Sequence, residues 1–348
     1  QKRVSLCYKK LSMSKKNSNV ILKEGFKNHE DIFLIYNNFK KILKSSKINF
    51  FVIAVSGGPD SLALTALAKA FSYENKCKIH YVLIDHNLRK NSSKEANSVK
   101  NLLKKHNINL KILKNTKPIA SNIQSQARDI RYNLLTSYCK KNKVKNILTA
   151  HNLEDQVETF FIRLSRGSGL DGLSCMKQKN IIKNNIKLVR PLLDYKKDRL
   201  IKITKLIFGK FYKDPTNKNK KYLRTRIRNL KSNLENSGIN YDQIIKSINN
   251  LSSSRDTLDL YFDKIYKELI TKKNNQITIS FHDFSCFNEE MKMRVFKKCI
   301  QELSNSYYLS RSKKILNLIN QIELKQDEKF TLGGCIILRD KNFIILRK

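Results

Sequence analysis

The sequence predicts an α/β fold: a parallel β-sheet domain, followed by a mainly helical domain with a small C-terminal β hairpin. Three observations predict it. Short apolar runs alternate with helical patterns between residues 28 and 212. A long amphipathic pattern then covers Tyr241 to about Lys272, as expected for one helix. Two apolar runs flank Asp340-Lys341-Asn342 near the end, which is a hairpin signal.

The first part of the chain contains apolar strands that alternate with helices. Because ligands bind beyond the carboxyl ends of parallel strands, polar clusters after Val55, Ile84 and Ala150 are expected to meet at one edge of the sheet. The predicted strands cover Phe51–Val55, Ile79–Ile84, Leu110–Leu113 and Ile147–Ala150, and predicted helices cover about 28–46, 93–105 and 119–141, with others beginning near Pro59, His151 and Tyr195. Asp194 is the predicted N-cap of the last of these helices.

Composition and patterning predict four segments. Residues 1–27 form a basic N-terminal extension without the apolar core and cleavage site of a secretory signal. Residues 28–212 form the sheet domain, 213–235 a basic linker and helix, and 236–348 a helical domain with C-terminal strands. An apolar run of about 18 residues is absent, which predicts a protein without a membrane-spanning helix.

The charge of the chain points to a polyanionic partner. It contains 70 Lys and Arg against 29 Asp and Glu, a formal net charge of +41, which favours nucleic acid. A genome with a coding bias toward lysine would explain why lysine replaces arginine in this chain. It would not explain why the chain contains so few acidic residues. The seven cysteines are scattered without a C-x-x-C pair, which predicts reduced thiols in a cytosolic setting.

The stretch Ser56-Gly57-Gly58-Pro59-Asp60-Ser61 connects the first strand to a helix. It presents backbone N–H groups and two hydroxyls at the positive end of a helix, where phosphate binds readily. It is not a Walker A loop, because the lysine-serine or lysine-threonine pair is missing. Two adjacent glycines on their own would also be compatible with an ordinary tight turn between a strand and a helix. The full string is more specific, and it resembles the PP-loop of the ATP pyrophosphatase superfamily, whose members cleave ATP between the α and β phosphates.

Further motifs narrow this resemblance. Together, and in order over about residues 50 to 230, they resemble those of the tRNA(Ile)-lysidine synthases, with an adenine nucleotide α-hydrolase-like fold. The motifs are Ser56–Ser61, Asp85–Arg89, Ala127–Tyr132, Ala150–Thr159, Arg163–Leu173, Arg190–Leu193 and the segment from Asp214 to Arg228. The C-terminal Leu332-Gly333-Gly334 and its strands are similar to that family's appended domain, although Gly333-Gly334 is interpreted as a turn because no helix follows it.

The resemblance implies an ATP-dependent ligase that forms a C–N bond in the cytoplasm. ATP adenylates the C2 oxygen of the wobble cytidine in the isoleucine tRNA with a CAU anticodon, and free L-lysine then displaces AMP to give lysidine. The implied cofactors are ATP and Mg²⁺, and the implied partners are that tRNA and lysine. The C-terminal domain is expected to bind the tRNA. The oligomeric state is left open, a homodimer included.

The same resemblance distributes roles over the motifs. Asp60 is expected to bind Mg²⁺ or to act near the α-phosphate. Arg128 and Arg131 are expected to stabilise the charge that develops on the phosphoryl group. Asp155 and Glu158 share a helix face that can bind an ammonium group, and Glu154 or Asp155 can accept its proton. The expected site residues are Ser56, Gly57, Gly58, Pro59, Asp60, Ser61, Asp85 and His86 for ATP; Asp60, Arg128 and Arg131 for catalysis; Asp60 for metal; His151, Asp155 and Glu158 for lysine; and Arg166, Arg224, Arg226 and Arg228 for tRNA.

Other interpretations of the same residues remain open. His151 and Asp155 have the spacing of a metal pair, and acidic residues are common in the first turn of a helix because they oppose its dipole. His86 also suits a buried structural position. Two other classes of protein are alternatives for the whole chain. One is a PP-loop thiolase, which would need paired cysteines. The other is a non-catalytic basic RNA-binding protein, which would not need these acidic residues. Release of AMP and pyrophosphate in the presence of tRNA separates the last class from the enzymes.

Overall fold

The computed structural model describes residues 26, 28–88, 91–116, 123–212, 221–304 and 312–348. The chain forms two compact units, Gln1–Ile248 and Asn249–Lys348, and the division falls within a long helix, Tyr241–Leu269. Each unit has its own sheet and its own apolar core. The α/β class that the sequence predicts is confirmed.

The first unit is built on a six-stranded sheet with the order β3-β2-β1-β4-β6-β5. Every neighbouring pair is parallel except β5 and β6, which are antiparallel. The strands are β1 Phe50–Val55, β2 Lys78–Asp85, β3 Leu110–Lys114, β4 Asn146–Leu148, β5 Lys179–Ile182 and β6 Ile186–Val189. The central strand β1 is apolar along its length because helices cover both faces of the sheet. The four predicted strands are confirmed.

Helices connect these strands and bury the sheet. Those of the first unit are α1 Glu30–Ser45, α2 Pro59–Glu74, α3 Ser92–Lys104, α4 Ile123–Lys141, α5 Leu153–Leu164, α6 Leu170–Leu173, α7 Lys197–Phe208, α8 Leu223–Asn229 and α9 Lys231–Asn236, before α10 Tyr241–Leu269. The helix α2, which follows β1, is apolar almost all round and is the most buried. The hydroxyl of Thr204 in α7 donates to the carbonyl of Pro59 at 2.6 Å, which fixes α7 against the start of α2.

The start of α7 differs from the prediction. The helix begins at Lys197, and its N-cap residue, Lys196, provides no side-chain cap. Asp194 lies upstream in a turn, so its prediction as the N-cap is wrong. Instead, Oε2 of Glu154 accepts the backbone N–H of Lys197 at 2.9 Å. The cap therefore comes from α5, a contact that only the tertiary fold creates.

The second unit contains a five-stranded antiparallel sheet, with the order β7-β8-β11-β10-β9. Its strands are β7 Ile270–Lys273, β8 Gln276–Ser280, β9 Glu328–Leu332, β10 Cys335–Arg339 and β11 Phe343–Arg347, and its helices are α11 Phe281–Ser285, α12 Glu289–Ser304 and α13 Ser312–Leu324. The predicted hairpin around Asp340 is confirmed as β10 and β11. Gly333 and Gly334 form the turn between β9 and β10, both with positive φ.

Among the residues that the structure describes, no helix has both the length and the apolar character that crossing a membrane requires.

Candidate active site

The phosphate loop at the end of β1 is held in shape by its two serines. Oγ of Ser61 accepts the backbone N–H of Ser56 at 3.1 Å and lies 3.1 Å from the hydroxyl of Ser56. The Ser61 hydroxyl itself donates to the carbonyl of Gly58 at 3.0 Å. These hydrogen bonds connect the end of the loop at Ser61 to its beginning at Ser56 and to Gly58. Its backbone therefore needs little rearrangement when an anion arrives.

The two glycines of the loop have different requirements. Gly57 has φ +81°, and a Cβ there would lie 2.5 Å from Cγ2 of Val99. Gly58 has an extended backbone with φ −72°, and its Cβ would meet only Oγ of Ser56 at an ordinary 3.6 Å. Gly57 is therefore required by the fold itself. At Gly58 a side chain fits the folded protein, so a need for glycine there would come from the ligand.

We expect Gly57→Ala to lower the free energy of unfolding by about 2 kcal/mol or more, because strain and overpacking add. Gly58→Ala is expected to change it by less than about 0.5 kcal/mol, yet to weaken ATP binding because its methyl group obstructs the approach of phosphate. Urea denaturation and ATP titration of both variants check this. Equal loss of stability in the two variants would contradict the assignment.

Asp60 is the carboxylate of the loop, and its side chain is 23% exposed. Its Oδ1 atom is buried without a hydrogen-bond partner among the described residues. Burial raises the pKa of Asp60 to about 6; the charge of Lys197 opposes this rise, and that of Asp155 adds to it. The strands β1 and β4, which lead into the loop and into α5, are parallel neighbours. Lys197 connects the two places, since Glu154 accepts its backbone N–H and its ammonium lies 4.0 Å from Asp60. The predicted meeting of these two polar clusters is therefore present.

The acids at the start of α5 contribute to the fold of the site. Asp155 and Asn152 form a capping box, in which each side chain accepts the other residue's backbone N–H, at 3.1 and 2.9 Å. Glu154 caps α7, as described above. Both carboxylates that the sequence offers as proton acceptors are thus hydrogen-bonded to backbone N–H groups. One oxygen of Asp155 is not used in the capping box.

Glu158 lies one turn further along α5 and is only 1% exposed. Arg228 donates to it through two nitrogens, at 2.7 and 3.1 Å, and Nε of Arg224 lies 3.2 Å from the same carboxylate. Burial raises the pKa of Glu158, and the Arg228 hydrogen bond opposes the rise. Arg226, on the other side of α8, is exposed. Arg224 and Arg228 share a helix face because they are four residues apart, and both lie against Glu158. The tRNA contacts expected of the three arginines stay a prediction.

His151 follows β4 and lies among positive charges. Its Nδ1 atom is 3.0 Å from the hydroxyl of Thr149. Burial lowers the pKa of His151 well below its usual value, and Arg190, Arg128, Arg224 and Arg131 lower it further. The imidazole is therefore neutral at pH 7. The exposed Arg128 and Arg131 on α4 are thus close enough to the site to act on its electrostatics.

Asp85 and His86 lie at the end of β2. Asp85 is buried, and its two oxygens accept the backbone N–H of Asn87 at 3.0 Å and the hydroxyl of Ser93 at 2.7 Å. It therefore shapes the turn into α3 rather than presenting an open carboxylate. His86 is half-buried beside it. Arg89, the last residue of this motif, lies outside the described residues, as do residues 213–220 of the predicted linker and 1–25 of the predicted extension.

Arg166 lies in the loop between α5 and α6 and is exposed. Within this loop, Nη1 of Arg163 donates to the carbonyls of Gly172 and Cys175, at 2.7 and 3.2 Å. Arg163 therefore ties the loop to its own helix. Among the described residues, no hydrogen bond or ion pair holds the exposed Arg166 side chain, so its guanidinium is accessible to an external anion.

Comparison with known proteins decides the family. Residues 34–234 match the profile of a PP-loop domain. A tRNA(Ile)-lysidine synthase from Wolbachia pipientis wMel is 34% identical over 319 residues, covering 89% of this chain and 74% of the relative. The chain belongs to the tRNA(Ile)-lysidine synthase family. A second member, from Wolbachia sp. subsp. Brugia malayi (strain TRS), is 32% identical over 333 residues, covering 94% of this chain and 74% of the relative.

Another member of the family and one solved structure are also similar to this chain. A tRNA(Ile)-lysidine synthase from Orientia tsutsugamushi (strain Boryong) is 43% identical over 183 residues, covering 51% of this chain and 40% of the relative. Among solved structures, a U34-tRNA thiolase from Methanococcus maripaludis with its [4Fe-4S] cluster is similar, with a TM-score of 0.54 and 18% identity. It covers 64% of this chain and 78% of that one, and it supports the PP-loop fold alone.

Sequence reasoning missed two residues that shape this family's site here. Asn152 completes the capping box of α5, and Lys197 places its ammonium 4.0 Å from Oδ2 of Asp60. A signal for Asn152 was available, since Asn followed three residues later by an acid is a helix-start pattern. Lys197 stands beside Lys196 and near other basic residues, so nothing in the sequence distinguishes it.

Proposed function

We propose that the chain forms lysidine at the wobble cytidine of the isoleucine tRNA with a CAU anticodon. ATP adenylates the C2 oxygen of the base with release of pyrophosphate, and the ε-amine of free lysine then displaces AMP. The observation that carries the proposal is that the phosphate loop after β1 and the acidic start of α5 after β4 lie at the same edge of the sheet, both next to Lys197. A nucleotide on the loop and an amine near α5 would then react at a shared edge of the sheet.

The proposed adenylation site consists of the loop and two arginines. Backbone N–H groups of the loop and the Ser56 hydroxyl would bind the pyrophosphate part of ATP. Arg128 and Arg131 would stabilise charge on the phosphoryl group in the transition state. Oδ1 of Asp60, which is buried and has no hydrogen-bond partner among the described residues, fits a magnesium ligand, since Mg²⁺ prefers carboxylate oxygens. When bound, Mg²⁺ would neutralise part of the phosphate charge.

The proposed lysine site lies along α5. Asp155 and Glu158 would attract the ammonium groups of lysine, and neutral His151 offers a hydrogen-bond acceptor or donor beside them. The amine must lose a proton before it attacks, and Oδ1 of Asp155, which the capping box does not use, is our candidate acceptor. Arg224, partly exposed and bound to Glu158, is suited to the carboxylate of lysine.

The test is incorporation of labelled lysine into unmodified CAU-anticodon tRNA, with ATP, Mg²⁺ and purified protein. A tRNA with uridine at the wobble position is the matched control. We expect label in the cytidine tRNA alone, with one AMP released per lysine. If ATP is split but lysine does not enter, the proposed second substrate is wrong. Such a reaction is proposed to occur in the cytoplasm, where tRNA, ATP and free lysine occur together.

The tRNA is proposed to contact mainly the first unit. Residues 1–248 contain 52 of the 70 basic residues and 17 of the 29 acidic ones. In the second unit, basic side chains such as Arg294, Lys298 and Lys272 are paired with acids. The C-terminal unit, which the sequence assigns to tRNA binding, is therefore proposed to recognise shape or ends of the tRNA more than to supply charge.

We expect the double variant Arg166→Ala, Arg226→Ala to bind tRNA more weakly and to reduce the slope of log affinity against log salt by about 2, one for each lost phosphate contact. Both residues are exposed. Lys41→Ala, an exposed change on α1, is the control and is expected to leave the slope unchanged. Filter binding over a salt series measures this, and an unaltered slope in the double variant would place the RNA on another surface.

A further inference from the structure

We propose that Lys197 supplies the cation that binds the phosphates of ATP at the phosphate loop. This deepens the proposed function and rests on it for the use of ATP only. In a Walker A loop a lysine within the motif binds the β and γ phosphates, and Ser56–Ser61 contains none. Backbone N–H groups and hydroxyls carry no full charge. A triphosphate on this loop is therefore best balanced by a cation from another element.

The start of α7 is held against the loop independently of the Lys197 side chain. Glu154 accepts the backbone N–H of Lys197 at 2.9 Å. Further along the helix, the Thr204 hydroxyl donates to the carbonyl of Pro59 at 2.6 Å. Replacing the side chain of Lys197 leaves both contacts in place. Such a variant consequently tests the ammonium group rather than the position of the helix.

The N–H donors of the Lys197 ammonium group are available to a ligand. It lies 4.0 Å from Oδ2 of Asp60 and the side chain is 36% exposed, whereas a charge-assisted hydrogen bond is about 2.7–2.9 Å long. No hydrogen bond from this ammonium is present among the described residues. Its neighbour Lys196 differs, because its ammonium is 2.9 Å from Asp242. Lys197 is thus placed beside the loop with its three N–H donors available to phosphate oxygens.

The experiment compares binding of ATP and of adenosine, without tRNA, by calorimetry in magnesium buffer. We expect Lys197→Met to weaken ATP binding by about ten- to a hundredfold, as the loss of a hydrogen bond between charged groups predicts. Adenosine binding is expected to be unchanged. Lys197→Arg should keep most of the ATP affinity, and Lys196→Met should keep all of it.

Two outcomes would overturn the inference. Unchanged ATP affinity in Lys197→Met would show that the ammonium does not contact phosphate. An equal loss for ATP and adenosine, with a lower unfolding midpoint, would show that the residue supports the fold. The measurement involves neither tRNA nor lysine. A protein whose ATP binding depends on Lys197, but which incorporates no lysine, would therefore support this inference while the proposed second substrate failed.

Discussion

Replacing Asp60 by asparagine is expected to abolish adenylation while leaving tRNA affinity close to that of the native protein. The change removes the charge of a carboxylate at the phosphate loop, one of whose oxygens is buried and has no hydrogen-bond partner in the described part of the chain. Loss of one such group in a preorganised site lowers a rate by roughly a hundred- to a thousandfold. Pyrophosphate release with saturating tRNA measures the rate, and filter binding measures the affinity. Asp198→Asn, an exposed acid in the first turn of α7, is the matched control.

The same variant is expected to gain stability at neutral pH. Folding raises the pKa of Asp60 from 3.8 to about 6, mainly through burial. The folded state therefore binds the proton more tightly than the unfolded state, so ionisation of Asp60 reduces stability as the pH rises from about 4 to about 6. Asparagine avoids this cost, and we expect a gain of about 1–2 kcal/mol at pH 7.5. The gain should vanish below about pH 4.

Urea denaturation in magnesium-free buffer, over a series of pH values, separates the two effects. Lost activity together with increased stability would identify a group whose position serves chemistry rather than folding. Lost activity together with lost stability and lost tRNA affinity would show that Asp60 is structural. The asparagine variant is nearly isosteric with the native residue, so a packing change does not obscure the comparison.

The sequence predicts the sheet domain well because its signals are local. The apolar run of β1, the serine-glycine turn and the start of α2 lie within one short stretch, and the clusters after β1 and β4 meet as the parallel sheet requires. The two short strands β5 and β6 have weaker patterns, and the sequence does not predict them. The long helix Tyr241–Leu269 and the C-terminal hairpin are predicted because their signals are local too: an amphipathic pattern for the helix, and two apolar runs on either side of a turn for the hairpin.

The roles of charged side chains are less predictable, because they depend on contacts between distant segments. Glu154 offers a proton acceptor in the sequence, yet in the structure it caps α7. Arg224 and Arg228 belong to a basic stretch of the kind that binds nucleic acid, yet both bind a carboxylate that is distant in sequence. Charge patterns predict partners of opposite sign, but they do not reveal whether that partner is RNA or a buried acid of the same chain.

The pair of Glu158 and Arg228 leads to the second large expected effect. Glu158 is 1% exposed, and the Arg228 side chain is 35% exposed. Arg228→Met leaves the buried carboxylate with Arg224 alone, and we expect the free energy of unfolding to fall by about 2 kcal/mol. Arg226→Met, an exposed change on the same helix, is expected to alter it by less than about 0.5 kcal/mol. Urea denaturation of the two variants makes the comparison.

A double-mutant cycle identifies the cause of that loss. Glu158→Gln removes the charge that Arg228 neutralises, so in its presence Arg228→Met should cost less, with a coupling of about 1–2 kcal/mol. A coupling near zero would mean that Arg228 stabilises α8 by packing of its stem rather than through the carboxylate. The distinction matters for the proposed lysine site. A strongly coupled pair means that the charge of Glu158 is already neutralised before lysine arrives. The oxygen of Asp155 outside the capping box is then the better acceptor for the amine proton.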